Sequence, residues 1–263
     1  MARPVIALMS DFGTRDHYVG VMKGVILSLC PDASLVDISH DIPPHDIRCA
    51  SLELAAAWRF FPPGSVFLVV VDPGVGSGRR GLAAHSDARR FVAPDNGVLS
   101  GGFQQAPPKC VVELTAQGYA PPKVSRTFEG RDRFAPAAAW LAKGIELPAL
   151  GRPASDYCLL DTPAVRIHNG CIDGVVLRID RFGNLITNID RETLSRLAGT
   201  GGIEITVEGN QVDRIVETYA DIAANEVCAL FGSTDYLEIA ANLAQAVERL
   251  GVELGAPVRI LRR

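Results

Sequence analysis

The sequence predicts an α/β protein in two parts: an N-terminal domain built on a largely parallel sheet, and a smaller C-terminal antiparallel β domain. Three observations carry this. Short apolar runs alternate with segments of helical spacing through the first half. Those runs are continuous rather than alternating, the pattern of strands covered on both faces. Beyond residue 170 the chain turns to closely spaced β-rich runs. At 263 residues it is long for one core, so a division fits its size. The reading places the N-terminal domain at 1–150, a linker at 151–169 and the C-terminal domain at 170–263.

Residues 5–9 and 34–38 read as short buried strands, and 18–29 and 47–60 carry apolar residues at helical spacing. The strongest strand is 65–71 (SVFLVVV), β-branched, continuous and bounded on both sides by Pro-Gly turns. Residues 132–143 are rich in Ala and Leu, carry Pro136 near the first turn and stop at Gly144, a helix-end signature. From 148 to 169 a connector bearing Pro, Arg and Asp follows. Strands are then expected at 174–179, 184–189, 203–208, 226–231 and 258–261, with one helix among them at 242–250.

Hydrophobic content of 48% and charged content of 21% are those of a soluble globular protein. The net charge is -4, and basic residues cluster only as pairs, so no nucleic-acid footprint is expected. Of these pairs, Arg89-Arg90 and Arg262-Arg263 read as solvated surface. No apolar stretch approaches membrane-spanning length, and the opening MARPVIALMSDFG is too soon interrupted for a signal peptide. A cytoplasmic protein with no membrane partner is expected. The six cysteines never form a CxxC pair, and five sit beside apolar residues, where a reduced cysteine reads as a small buried hydrophobe. The histidines assemble no metal-ligand spacing, although His40 and His45 flank Asp41 and Asp46, so no metal is expected.

In open α/β sheets chemistry collects where strands end. Asp11, Asp41 and Asp72 each lie just past an expected strand. Asp11, in SDFGTRDHY, reads either as a turn former or as a carboxylate placed for a ribose diol, and Asp16 reads as a helix N-cap. Asp72 follows the strongest strand and precedes Pro73-Gly74-Val75-Gly76, a loop that lets backbone approach a ligand. A carboxylate there needs solvent or a partner, and Arg79 is the natural one, in a functional or a merely structural pair. Glu129, in TFEGRDRFAPAAAW, reads from spacing alone as a helix-start acid. In IDRFGNLITNID, Asp180, Phe182 and Asn184 form a turn that is either a hairpin corner or a grip for a purine and an ammonium group.

The segments SDFGTRDHYVGVMKG, VVDPGVGSGRR, APDNGVL, TFEGRDRFAPAA, IDRFGNLITNI and YLEIAAN occur in this order over nearly the whole chain. Together they closely resemble the S-adenosyl-L-methionine (SAM) hydroxide adenosyltransferase family, the SAM hydrolases, relatives of fluorinating and chlorinating SAM enzymes. The resemblance implies a catalytic N-terminal α/β domain, a C-terminal β-barrel-like domain and a homotrimer. SAM would lie between the N-terminal domain of one subunit and the C-terminal domain of its neighbour. The implied reaction is displacement of methionine from C5′ of SAM by water, giving adenosine, with SAM as substrate and neither cofactor nor metal. By position, Asp11 matches the ribose-binding carboxylate and Asp16 an acid near the methionine end. Asp180 and Ser233 match groups that hold the amino acid, Phe182 and Asn184 residues around adenine, and Tyr219 the aromatic stacked near it. Thr127 and Phe128 join the substrate-binding set.

The family's hydrolytic triad is Asp, Arg and His, and Asp72 and Arg79 supply the first two. Where the family motif reads Thr-Phe-His-Gly-Arg-Asp, Glu129 replaces the histidine. The resemblance therefore assigns Asp72, Arg79 and Glu129 to catalysis, with Arg79 expected to bridge the two carboxylates. A SAM- or adenosine-binding protein without catalysis is the alternative that Glu129 raises. A metal-dependent phosphohydrolase built on Asp11, Asp41 and Asp72 is less favoured, as is a SAM halogenase. In the halogenases a tyrosine occupies the Asp72 position and a threonine the place of Val75.

Overall fold

The computed structural model describes residues 3–122, 124–198 and 202–262, which divide into two compact units, Met1–Leu160 and Asp161–Arg263. In the first unit, strands β1 (Val5–Ser10), β2 (Ser34–Ser39), β3 (Val66–Val70), β4 (Gly81–Ser86), β5 (Arg89–Pro94), β6 (Pro108–Leu114) and β7 (Gly151–Pro153) make one sheet. Its order is β2-β1-β3-β5-β4-β6-β7. The first four are parallel, and β4, β6 and β7 continue the sheet antiparallel.

Strand alternation sends side chains to two faces, and each face is covered by helices. Ile6, Leu8, Val66, Leu68 and Val70 pack on one side with Met22 and Ile26 of α1 (Tyr18–Leu29) and with α4 (Ala135–Ala142). Ala7, Met9, Phe67 and Val69 pack on the other with Leu54 of α2 (Ile47–Ala57) and Phe103 of α3 (Ser100–Gln105). This double cover explains the continuous apolar run of β3, all five of whose residues are buried.

Several expectations are corrected. β2 is an edge strand, half-exposed rather than buried, because only β1 pairs with it. Arg89 is buried, not solvated: its guanidinium lies over Trp58 and donates to the carbonyls of Arg59 and Phe61, which end the helical segment after α2. Arg262 is exposed, and Arg263 lies outside the described residues. The connector contains strand β7 and, in the second unit, strand β8 (Arg166–His168). Cys158 is exposed, while Cys30, Cys171 and Cys228 are buried thiols.

The second unit adds β9 (Cys171–Ile179), β10 (Leu185–Asp190), β11 (Ile203–Val207), β12 (Asn210–Val212), β13 (Val227–Phe231), β14 (Tyr236–Ala241) and β15 (Pro257–Arg262). They run antiparallel in the order β12-β11-β15-β9-β10-β14-β13, with β8 beside β9. The two ends of this path meet: Ala229 N donates to Arg214 O and Val216 N to Ala229 O, so the sheet nearly closes into a barrel. Among the described residues two α-helices accompany the barrel rather than one. α5 (Arg191–Ala198) is held at its start by the Asp190 carboxylate, which accepts from Thr193 N. α6 is confined to Ala246–Leu250, because Leu243 turns at a positive φ of 56°. Among the described residues no helix is long and apolar enough to cross a membrane.

The loop from β3 to β4 depends on one glycine. Gly76 has φ +78°, and a Cβ there would lie 2.4 Å from Arg126 O. Gly78, by contrast, opens on free space. Gly76→Ala therefore costs roughly 2–3 kcal/mol, from left-handed strain and from backbone overlap that no side-chain rotation relieves. Gly78→Ala changes stability by less than about 1 kcal/mol. Paired thermal melts of the two variants check the contrast.

Candidate active site

The parallel strands deliver Asp11, Asp41, Asp72 and Asp95 to the same edge of the first sheet, just past β1, β2, β3 and β5. At the end of β3, Asn96 Nδ2 donates to Val71 O at 2.9 Å and fixes the backbone entering Asp72. The loop then folds on itself: Val75 N donates to Asp72 O, and Ser77 Oγ to Gly74 O at 2.7 Å. Arg126 reaches across to Gly76 O at 2.8 Å. These bonds return the chain so that Arg79 faces Asp72.

One guanidinium nitrogen bridges two acids. Arg79 Nη2 is 2.5 Å from Asp72 Oδ2 and 2.6 Å from Glu129 Oε2. The three side chains are only 5%, 8% and 9% exposed. The same guanidinium donates through Nη1 to Arg80 O and sits 5.2 Å from the centre of the Phe134 ring. Burial pushes the Asp72 carboxyl above its ordinary value; Arg79 pulls it down and Glu129 pushes it up again. Asp72 Oδ1 is buried and makes no well-formed hydrogen bond among the described residues, the Gly74 N–H being the backbone group that acts on the carboxyl and helps to lower it. A buried carboxylate oxygen left so is costly unless water or a ligand supplies a proton to accept.

Glu129 is therefore not a helix-start acid in the usual sense. It stands at the entrance of a π-helical turn (Gly130–Phe134) but makes no capping bond. The turn is widened, closed by Ala135 N–H to Gly130 O, and the Glu129 carboxylate at its entrance lies against Arg79. Arg133, one turn on, approaches Glu129 Oε1 at 3.4 Å.

Asp11 accepts a hydrogen bond from His45 N at 2.9 Å through Oδ2, and its side chain is nearly buried. Asp16 is exposed and is not the helix cap; His17 holds that position, without a side-chain bond. Phe12, Tyr18 and Phe128 form an aromatic cluster with centroids 5.2–6.0 Å apart, joining the Asp11 segment to the residue before Glu129. Thr127 is exposed beside it. Asp11, Asp41 and Asp72 do not converge: the metal-donor group found among the described residues is His168, Cys171 and Asp173. There Arg259 and His168 both already bond the Asp173 carboxylate, so the set reads as a satisfied ion pair.

In the second unit Asp180 organises its own turn. Its Oδ1 accepts from Phe182 N and Asn184 N, and its Oδ2 from Asn184 Nδ2 at 3.0 Å. The hairpin-corner reading thus describes the local structure, while a carboxylate still has capacity for a further donor. Phe182 is 76% exposed and Asn184 buried. Ser233 is exposed in the turn between β13 and β14. Tyr219 OH donates to Glu238 Oε1 at 2.6 Å, and burial raises both groups above their ordinary values. Glu238 was visible only as part of the YLEIAAN segment, with nothing in its spacing to mark a buried acid. Arg133 carried a usable signal, its place four residues after Glu129.

Residues 6–151 match the SAM hydroxide adenosyltransferase N-terminal domain, and residues 174–259 the C-terminal domain of the same family. The chain belongs to the SAM hydroxide adenosyltransferase family. Among curated members it is 37% identical to the (R)-S-adenosyl-L-methionine hydrolase of Thermus thermophilus, over 98% of this chain and all of that protein. It is 35% identical to the protein of the same name from Salinispora tropica, over 98% of this chain and 97% of that one. Fluorinases also match along their length. An uncharacterized conserved protein of Thermotoga maritima shares the fold at a TM-score of 0.93 and 34% identity, covering 98% of this chain and 100% of its own. The curated relatives named above are thus hydrolases and fluorinases, both enzymes acting within this family.

Proposed function

We propose that this chain hydrolyses SAM to adenosine and methionine, with Asp72 as the base, Arg79 as its holder and Glu129 as the second carboxylate on Arg79. The observation that carries the reading is the buried oxygen of Asp72 that makes no well-formed hydrogen bond, beside an oxygen already pinned by Arg79. A water held by that free oxygen attacks C5′ of SAM. The C5′–S bond breaks with its electrons going to sulfur, and methionine departs as a neutral thioether. The water's first proton passes to Asp72 and is then released to solvent. No acid is needed on the leaving-group side, which suits a site whose titratable side chains are carboxylates held by arginine.

The same charges disfavour a halide as nucleophile. A carboxylate about 4 Å from an anion repels it by on the order of 4 kcal/mol at an effective dielectric near 20, and a second buried acid adds to that. Asp11 serves the ribose diol through the oxygen that His45 N leaves open, with Asp16, Thr127 and Phe128 around the substrate. Asp180, Phe182, Asn184, Tyr219 and Ser233 supply the amino-acid and adenine contacts. The resemblance favours a homotrimer in which these two sets come from neighbouring subunits, with residues 151–169 linking domains 1–150 and 170–263, acting in the cytoplasm without a cofactor.

Incubating the pure protein with SAM and separating products by chromatography tests the reaction. Adenosine and methionine in equal amounts are expected, unchanged by a chelator and without halogenated nucleoside when halide is added. Tight SAM binding with no adenosine released would leave only a binding protein.

A further inference from the structure

Glu129 brings a second negative charge into a site where Asp72 is already buried, and Arg79 alone cannot neutralise both. Arg79 spends one nitrogen on the two carboxylates and another on Arg80 O. The remaining charge is met from the helix side, where Arg133 Nη1 lies 3.4 Å from Glu129 Oε1. The neighbouring arginines are committed elsewhere. Arg131 is bound to Asp132, Arg80 to Asp95 and Asp156, and Arg126 to Gly76 O. Asp132 also accepts from Ser125 N. Two acids and two guanidiniums therefore form a line, Asp72–Arg79–Glu129–Arg133, whose inner members are nearly buried and whose outer arginine is 31% exposed.

We infer that Arg133 is a positioning residue for the hydrolytic site, holding the Glu129 carboxylate turned to Arg79 so that Arg79 is shared and Asp72 keeps one oxygen free for water. The inference rests on the proposed reaction for its purpose, but its electrostatics can be read without turnover. Removing Arg133 leaves an uncompensated charge on Glu129, which either repels Asp72 or draws Arg79 away from it. Both raise the pH at which Asp72 titrates. Removing Glu129 does the opposite, since its charge is one of the causes that hold Asp72 high.

The test is a carbon-13 titration of the Asp72 side-chain carboxyl in the wild type, R133M, R133K and E129Q, with Asp72→Asn to assign the resonance. The midpoint is expected to rise in R133M by on the order of half a unit to one unit, to fall in E129Q and to stay near wild type in R133K. Because Arg133 is partly exposed, R133Q serves as a second neutral variant if R133M folds poorly. An R133M or R133Q midpoint that coincides with wild type overturns the inference. The acid limb of kcat/KM for SAM cleavage should move in the same directions as the midpoints, which a merely structural role for Arg133 would not produce. Shifted midpoints in a protein that releases no adenosine would uphold the charge line and refute the hydrolase reading.

Discussion

Asp72→Asn is expected to lower kcat for SAM cleavage by about 10²–10⁴-fold while leaving KM within a few-fold of wild type. Asparagine keeps the size of the side chain and can still accept from Arg79 through its amide oxygen. What it loses is the ability to take a proton from the attacking water. Binding of ribose, adenine and methionine groups does not pass through this residue in the proposed site, so the loss falls on the chemical step. The wild-type pH dependence follows from the same assignment. The base must be ionised, so activity falls on the acid side, and burial places that fall above the ordinary aspartate range near about 3.9. Steady-state kinetics on SAM from mildly acid to neutral pH checks both statements. Unchanged kcat in Asp72→Asn would remove Asp72 from the mechanism and with it the proposed site.

Asp72 illustrates what can be read from residues alone. Its place at the end of a five-residue buried strand and the glycines after it are local signals, and local signals survive folding. β3 follows from its continuous apolar run and α1 from its helical spacing for the same reason. The antiparallel half of the sheet does not: β4 carries Gly81, Ala83, Ala84 and His85, whose strand pairing comes from neighbours rather than propensity. The helix cap at Asp16 fails because one residue of chain direction decides which side chain reaches the first turn. Glu129 shows the limit most plainly. By spacing it begins a helix, and it does stand at the entrance of a helical turn, a π-helical one, but its carboxylate lies on Arg79 and caps no N–H of that turn. That the glutamate stands in a family motif pointed to the right neighbourhood. The bridge, a contact between residues fifty positions apart, is expected from that motif and not from spacing, and it is present.

The largest stability effect is expected from Arg79→Met. Two carboxylates, each less than a tenth exposed, would lose the cation between them, and leaving a buried charge unpaired costs about 3–5 kcal/mol. The cost depends on pH, and its sign can be fixed. Without Arg79 the folded-state pKa of Asp72 rises further above its unfolded value, because the attraction that lowers it is gone while burial and Glu129 remain. A group raised in this way contributes stability that is fully present below the unfolded value, near about 4, and is lost as pH rises through the folded one. Thermal melts of Arg79→Met should therefore approach wild type near pH 4 and fall progressively behind toward neutrality. Adding Glu129→Gln to Arg79→Met should recover part of the neutral-pH loss, since only one buried carboxylate then remains. A constant deficit across this pH range would mean that Arg79 matters for its packing on Phe134 and not for its charge.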